Sequence, residues 1–158
     1  MAADPGVPAD REHRMKISAV PFAALDPLTA YSLWKLRQDV FVVEQHCPYP
    51  DLDGRDLAPE TRHVVMEDDT GAVLGCARVL DDGDTWRIGR VALHPTVRGQ
   101  GFADALVHTA LQVCGGRDVV LDAQSPLAGW YETLGFEVTG AEFLDDGIPH
   151  LPMVRRAE

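Results

Sequence analysis

The chain is 158 residues long, with 25 Asp and Glu against 14 Lys and Arg, a formal net charge of -11 and a sequence pI of about 4.8. That balance lacks the clustered cations needed to hold nucleic acid or an anionic membrane, and it suits a cationic substrate or partner. The 3 cysteines, Cys47, Cys76 and Cys114, are far apart and form no Cys-x-x-Cys pair, which argues against a disulfide framework or a zinc site.

No apolar run approaches the roughly 20 residues of a membrane span, and no signal-peptide core stands at the N-terminus. With the free thiols, this points to a reduced, cytoplasmic protein without a resident metal. Residues 1–14 are rich in Ala, Pro, Asp and Arg without periodicity and read as a disordered tail. Residues 15–158 read as a single domain, long enough to bury its own core.

In chain order, Lys16 to Val20 has the length of a short first strand. Asp26-Pro27 opens a helix, the aspartate as N-cap and the proline where its missing N–H costs nothing. That helix is expected to run through about Val42. Leu33, Leu36, Val40 and Phe41 form its apolar stripe, with Arg37 inside the stripe and Glu44 two turns beyond on the same face. Cys47 to Asp56 is irregular and rich in Pro and Asp. Glu44, Asp51, Asp53, Asp56 and Glu60 are expected to line an acidic mouth that receives an amine. Asp51-x-Asp53-Gly54 lacks the rest of a calcium loop.

Three strands follow as hairpins, His63 to Glu67, Ala72 to Leu80 and Trp86 to Leu93. Gly89 in mid-strand predicts a bulge or a close backbone approach. His94-Pro95 ends the third strand, and Val97 to Ala103 is a glycine loop opening a helix that Gly115-Gly116 stops. Val119 to Ala123 is a buried-type strand. Ser125-Pro126 starts a short helix reaching Leu134-Gly135, with Ser125 as its cap. Phe136 to Gly140 and His150 to Val154 are the last two strands, joined through Glu142 to Gly147.

Strand, glycine loop and helix in that order make a phosphate cradle. The first helical turn offers unpaired N–H groups and the positive end of the peptide dipoles, and glycines let the backbone approach and take positive φ. A P-loop would need Lys-Ser or Lys-Thr after Gly101, where Phe102 and Ala103 stand. A dinucleotide fingerprint would need glycine at Asp104, and the antiparallel hairpins before the loop also argue against that topology. Arg98, Gly101 and Ala103 instead match Arg/Gln-x-x-Gly-x-Gly/Ala. In this loop the chain resembles the GNAT superfamily of N-acetyltransferases.

The resemblance extends from Lys16 to Arg155. Gly129 to Phe136 is similar to the superfamily's closing helix and strand, with a tyrosine at position 131. Leu36-Arg37, Val40 to Gln45, Cys47-Pro48-Tyr49, Ile88 to Val91 and Asp146 to His150 are similar to the ElaA-like branch. It implies a GNAT-type acyl-CoA N-acyltransferase fold, an α/β architecture with a mixed, mostly antiparallel central sheet flanked by helices. It also implies acetyl-CoA as cosubstrate and an amine as acceptor, and a homodimer is compatible with it. Val91, Ala92 and Leu93 would pair with the pantetheine arm. Arg98, Gly99, Gln100, Gly101, Phe102, Ala103 and Asp104 would receive the pyrophosphate, with Gln124 and Tyr131 also touching the coenzyme.

For the chemistry, Tyr131 resembles the general acid that protonates the departing thiolate. Many relatives carry a glutamate base on the strand before the loop, where this chain has Ile88, Gly89 and Arg90. Glu44 is the candidate base, followed by His63 and His150. Arg37, Phe41, Glu44, Asp51, Asp53 and Asp56 are also similar to the acidic motif of acyl-homoserine-lactone synthases, a second enzymatic reading. A non-catalytic acyl-CoA-binding module is a third, and a nicotinamide-dependent enzyme a fourth.

Overall fold

The computed structural model describes residues 14–158; the predicted tail, apart from Arg14, lies outside them. A single sheet organises the chain, with strand order β1 (Lys16–Val20), β2 (Arg62–Glu67), β3 (Val73–Asp81), β4 (Trp86–Leu93), β5 (Val119–Gln124), β8 (Ile148–Arg155) and β6 (Glu137–Val138). A short β7 (Phe143–Asp145) also pairs with β8. Every pairing is antiparallel except β4 with β5.

Helices cover both faces, so the central strands bury consecutive residues rather than alternate ones. On one face α2 (Phe102–Gln112) sets Leu106, Val107 and Ala110 among Val64, Met66, Ala77, Val79 and Ile88. On the other, α1 (Pro27–Arg37) sets Leu33 and Leu36, with Val40 beyond its end, against Val65, Val73, Cys76 and Ala92. The α1 start is as the sequence predicts: the Asp26 carboxylate accepts from the Thr29 backbone N–H at 2.9 Å, with Pro27 in the first turn. That bond holds the Asp26 carboxyl below its usual range.

Three local features differ from expectation. The first helix does not stay α-helical to Val42, because Gln38–Glu44 winds as a π-helix of 7 residues. Ser125 does not cap the short helix. Its hydroxyl donates to Glu142 at 2.7 Å, and α3 (Ala128–Thr133) begins after a 3-10 turn. The link from Glu142 to Gly147 contains β7, which returns into β8 through Asp146 and Gly147, both at positive φ (48° and 78°). That is the two-residue turn for which Asp-Gly is the favoured sequence.

Two irregularities shape β4. Cys76 pairs with Ala92 but Arg78 with Gly89, so Ala77 faces both Arg90 and Val91. This is a bulge, expected at Gly89 and centred one residue later, where Arg90 takes φ 53°. The Cys76 thiol donates to the displaced Arg90 carbonyl at 3.2 Å. Next, β4 pairs with β5 only at Trp86–Val119 and Arg87–Val120, after which the two strands part. From Ile88 to Leu93 the edge of β4 toward β5 has no strand partner among the described residues.

Candidate active site

The parted strands open a cleft of about 700 Å³, walled by Ile88 to Leu93 of β4 and by Leu121, Asp122 and Gln124 of β5. Val40, Phe41, Glu44 and Gln45 close one side, Leu127, Trp130 and Tyr131 another, and the β7–β8 hairpin adds Asp145, Asp146, Ile148 and His150. Of the residues expected at the coenzyme, Val91, Ala92, Leu93, Arg98, Ala103, Gln124 and Tyr131 line this cleft. Gly99, Gln100, Gly101, Phe102 and Asp104 belong to the loop at its end and do not form its wall.

In that loop Gly99 and Gly101 take φ 77° and 85°, a conformation that L side chains rarely adopt. A Cβ at either would meet nothing, so the loop is open outward. Gly101 is the N-cap of α2 and no side chain caps the helix there. The first-turn N–H groups, which have no intrahelical acceptor, are therefore available to an anion. Asp104 sits in this turn with its carboxylate bonded by Trp130 Nε1 at 2.6 Å.

Each of the three Arg98 guanidinium nitrogens donates one hydrogen bond. Its Nε donates to the Leu93 carbonyl at 3.1 Å, and Nη1 and Nη2 grip the two Glu44 oxygens at 2.8 and 2.7 Å. The bonds from Arg98 hold the Glu44 carboxyl below its usual range, against a small opposing effect of burial. A carboxylate held so is a weak base. The next residue, Gln45, accepts from Gln124 Nε2 at 3.2 Å on the opposite wall.

Tyr131 is 7% exposed, its ring tilted against Trp130 (4.6 Å) and edge-on to Phe136 (5.8 Å). No hydrogen bond from another described residue engages its hydroxyl, and burial alone pushes the phenol up to about 12. It stays protonated at neutral pH, a donor without an acceptor in the cleft wall. His150 stands opposite Gln124 in the β5–β8 register. A carbonyl can only accept, so Nδ1–H of His150 donates to Ile148 O at 2.7 Å, and in the neutral ring Nε2 carries the lone pair.

The expected acidic mouth is not built as the sequence suggested. Arg37, 1% exposed, donates to Asp51 through Nε at 2.9 Å and to Asp56 through Nη1 at 2.7 Å. Arg78 bonds Asp53 and Asp56, and Arg90 reaches the Asp51 carbonyl at 3.1 Å. The Arg90 Nε lies 2.9 Å from Asp51 Oδ1 at an angle that makes it an ion pair rather than a hydrogen bond. Burial raises the Asp56 and Asp53 carboxyls, but Arg37 and Arg78 outweigh it at Asp56, and Arg78 with the Arg55 backbone N–H and Arg90 outweighs it at Asp53, so both lie below the usual range.

These aspartates therefore neutralise buried arginines and tie the 47–57 loop to β3 and β4. None of Arg37, Asp51, Asp53 or Asp56 lines the cleft, and Glu60 is exposed on a different surface. His63 is also structural. It is 1% exposed, edge-on to Trp34 and donates Nε2–H to the Asp56 carbonyl at 3.0 Å. Burial lowers its pKa. The carboxylates that do line the cleft beside Glu44 are Asp122, Asp145 and Asp146. The sequence signal for the last two was the Asp-Gly turn itself, which sets that hairpin over the site.

Residues 32–157 match the Acetyltransferase (GNAT) domain family, and the chain belongs to it. Among its relatives, the UPF0039 protein Rv2851c of Mycobacterium tuberculosis is 47% identical over 135 residues, covering 83% of this chain and 86% of that protein. An acyl-CoA N-acyltransferase from Pseudomonas aeruginosa superposes with a TM-score of 0.83 at 35% identity, over 89% of this chain and 99% of that one. Escherichia coli ElaA superposes with a TM-score of 0.84 at 33% identity, over 90% and 99%. The fold is that of the acyl-CoA N-acyltransferases and implies acyl-CoA binding. Among the described residues no helix is long and apolar enough to cross a membrane, and no group of His, Cys, Asp and Glu could hold a metal ion.

Proposed function

We propose that the chain is an acetyl-CoA-dependent N-acetyltransferase that moves the acetyl group directly to a primary amine of a small-molecule or peptidyl acceptor. The observation that carries this is the Tyr131 hydroxyl, without a hydrogen-bond partner among the described residues, in the wall of the slot between β4 and β5. The pantetheine arm pairs with the free edge of Val91 to Leu93, and Arg98 to Asp104 receive the diphosphate through first-turn N–H groups.

The neutral amine attacks the acetyl carbonyl carbon. A C–N bond forms, the C–S bond breaks, and the thiolate takes the Tyr131 proton. The Tyr131 phenol, pushed up to about 12 by burial, carries its proton at neutral pH and can donate it to the departing thiolate.

The proton lost by the amine goes to Nε2 of His150, the one cleft imidazole with a lone pair fixed by a bond on its other nitrogen. Glu44 can take that role only after Arg98 releases it. Asp145 and Asp146, which make no ion pair among the described residues, favour a cationic acceptor. Three free thiols suit a reducing, cytoplasmic setting.

An amine panel supplied with acetyl-CoA tests the proposal, reading free thiol and the mass of products. Amine-dependent thiol release supports it. Binding of CoA without release for any amine would instead make the chain a non-catalytic acyl-CoA-binding module.

A further inference from the structure

Residues 44 and 45 bond to opposite walls of the coenzyme slot. Glu44 is gripped by Arg98, just beyond the end of β4, and Gln45 meets Gln124 at the end of β5. The last turn of the π-helix is thus a strap across the slot. A guanidinium has two edges on which it can hold a planar anion or an acceptor pair. In Arg98 the Nε side already carries Leu93 O and the Nη1–Nη2 edge carries Glu44, so no complete edge is left for a diphosphate.

We propose that Glu44 is a displaceable counter-ion, whose place on Arg98 the diphosphate of the incoming coenzyme takes. The inference rests on the reading of Arg98 to Asp104 as the diphosphate cradle. Glu44 then acts as a positioning residue. It holds Arg98 beside Leu93 before the coenzyme arrives, and its own negative charge opposes a diphosphate for as long as it stays. Both side chains of the pair are partly exposed, 40% for Arg98 and 45% for Glu44, so the exchange is cheap in either direction. Once Arg98 changes partner, the strap keeps only its Gln45–Gln124 end, and the 38–45 segment is free to shift as the acceptor enters.

The test is calorimetric titration of CoA, and of pantetheine as a probe without diphosphate, into the full chain and its variants, each checked for an unchanged melting profile. Glu44→Gln removes the competitor and is expected to tighten CoA by about two- to fivefold while leaving pantetheine unchanged. Glu44→Asp, too short to hold both Nη atoms, is expected to act in the same direction. Arg98→Ala, which unlike glutamine leaves the Arg/Gln motif, is expected to weaken CoA and to erase the gain from Glu44→Gln in the double variant. If Glu44→Gln leaves CoA affinity unchanged or lowers it while Arg98→Ala lowers it, the exchange is wrong and the cradle reading stands. If Arg98→Ala leaves CoA affinity unchanged, the cradle reading falls and the exchange with it.

Discussion

Trp130 Nε1 donates to the Asp104 carboxylate at 2.6 Å, joining the short helix that carries Tyr131 to the first turn of the helix that opens the glycine loop. One bond sets the distance between the expected proton donor and the expected diphosphate cradle. It also fixes in place a carboxylate whose negative charge sits beside the expected cradle.

Asp104→Asn separates those effects. The amide oxygen still accepts from Trp130, while the negative charge beside the cradle disappears. CoA affinity is expected to rise by calorimetry. Stability is expected to fall by about 0.3–1 kcal/mol, because an acid in the first helical turn favours the dipole. A fall in CoA affinity would mean that the carboxylate does not face the phosphate.

The buried pairs around Arg37 predict a large stability effect away from the cleft. Arg37→Ala breaks two buried ion pairs and leaves Asp51 with only Arg90 and Asp56 with only Arg78, which costs up to about 3–5 kcal/mol, or roughly 6–20 °C in Tm. Arg37→Lys is expected to recover little, since an ammonium cannot span both carboxylates as the guanidinium does. Thermal melts of the two variants against wild type check this.

The same network sets an acid limit. Asp53 and Asp56 have folded-state pKa values below their unfolded ones, so the stability they contribute is present above the ordinary aspartate range and is lost as pH falls through the depressed folded values. The 47–57 loop is expected to detach first. Limited proteolysis near pH 3, by a protease active there, is expected to cut within 47–57 before the sheet unfolds, and neutral pH is expected to protect it. Cutting elsewhere first would show that the loop is held by other contacts.

Much of this layout is legible in the sequence because it depends on neighbours in the chain. Asp26-Pro27 announces a helix start and Gly89 the bulge. Arg98, Gly99 and Gly101 announce the loop. The role of the acidic segment is not legible, because Asp53 looks solvated until Arg78 and Arg90 arrive from 25 and 37 residues away on β3 and β4. Nothing in Gln38 to Glu44 signals a π-helix, although it is this widening that ends with Glu44 and Gln45 bonded to opposite walls. The 3 exposed residues of β7 carry too little periodicity to read as a strand, and only the Asp146-Gly147 turn betrays the hairpin.

Tyr131→Phe tests the acid. The ring contacts with Trp130 and Phe136 survive, and no hydrogen bond to a described residue is lost, so Tm and CoA affinity are expected to hold. The rate of thiol release at saturating substrates is expected to fall about 10²–10⁴-fold. An unchanged rate would assign the proton to water.

His150→Ala tests the base. Lysine amines have a pKa near 10.4 and are almost wholly protonated at neutral pH, so loss of the proton acceptor is expected to lower kcat/KM about 10²-fold or more there. Raising the pH supplies more neutral amine from solution, and the deficit is expected to shrink. Free imidazole, which fills the space of the lost ring, is expected to restore part of the rate, whereas the bond to Ile148 and the stacking on Phe143 would not return in a form that changes the pH profile. A deficit that is constant with pH and indifferent to imidazole would make His150 a brace for the hairpin. It would move the base to Glu44, where release from Arg98 becomes the condition for catalysis rather than only for coenzyme binding.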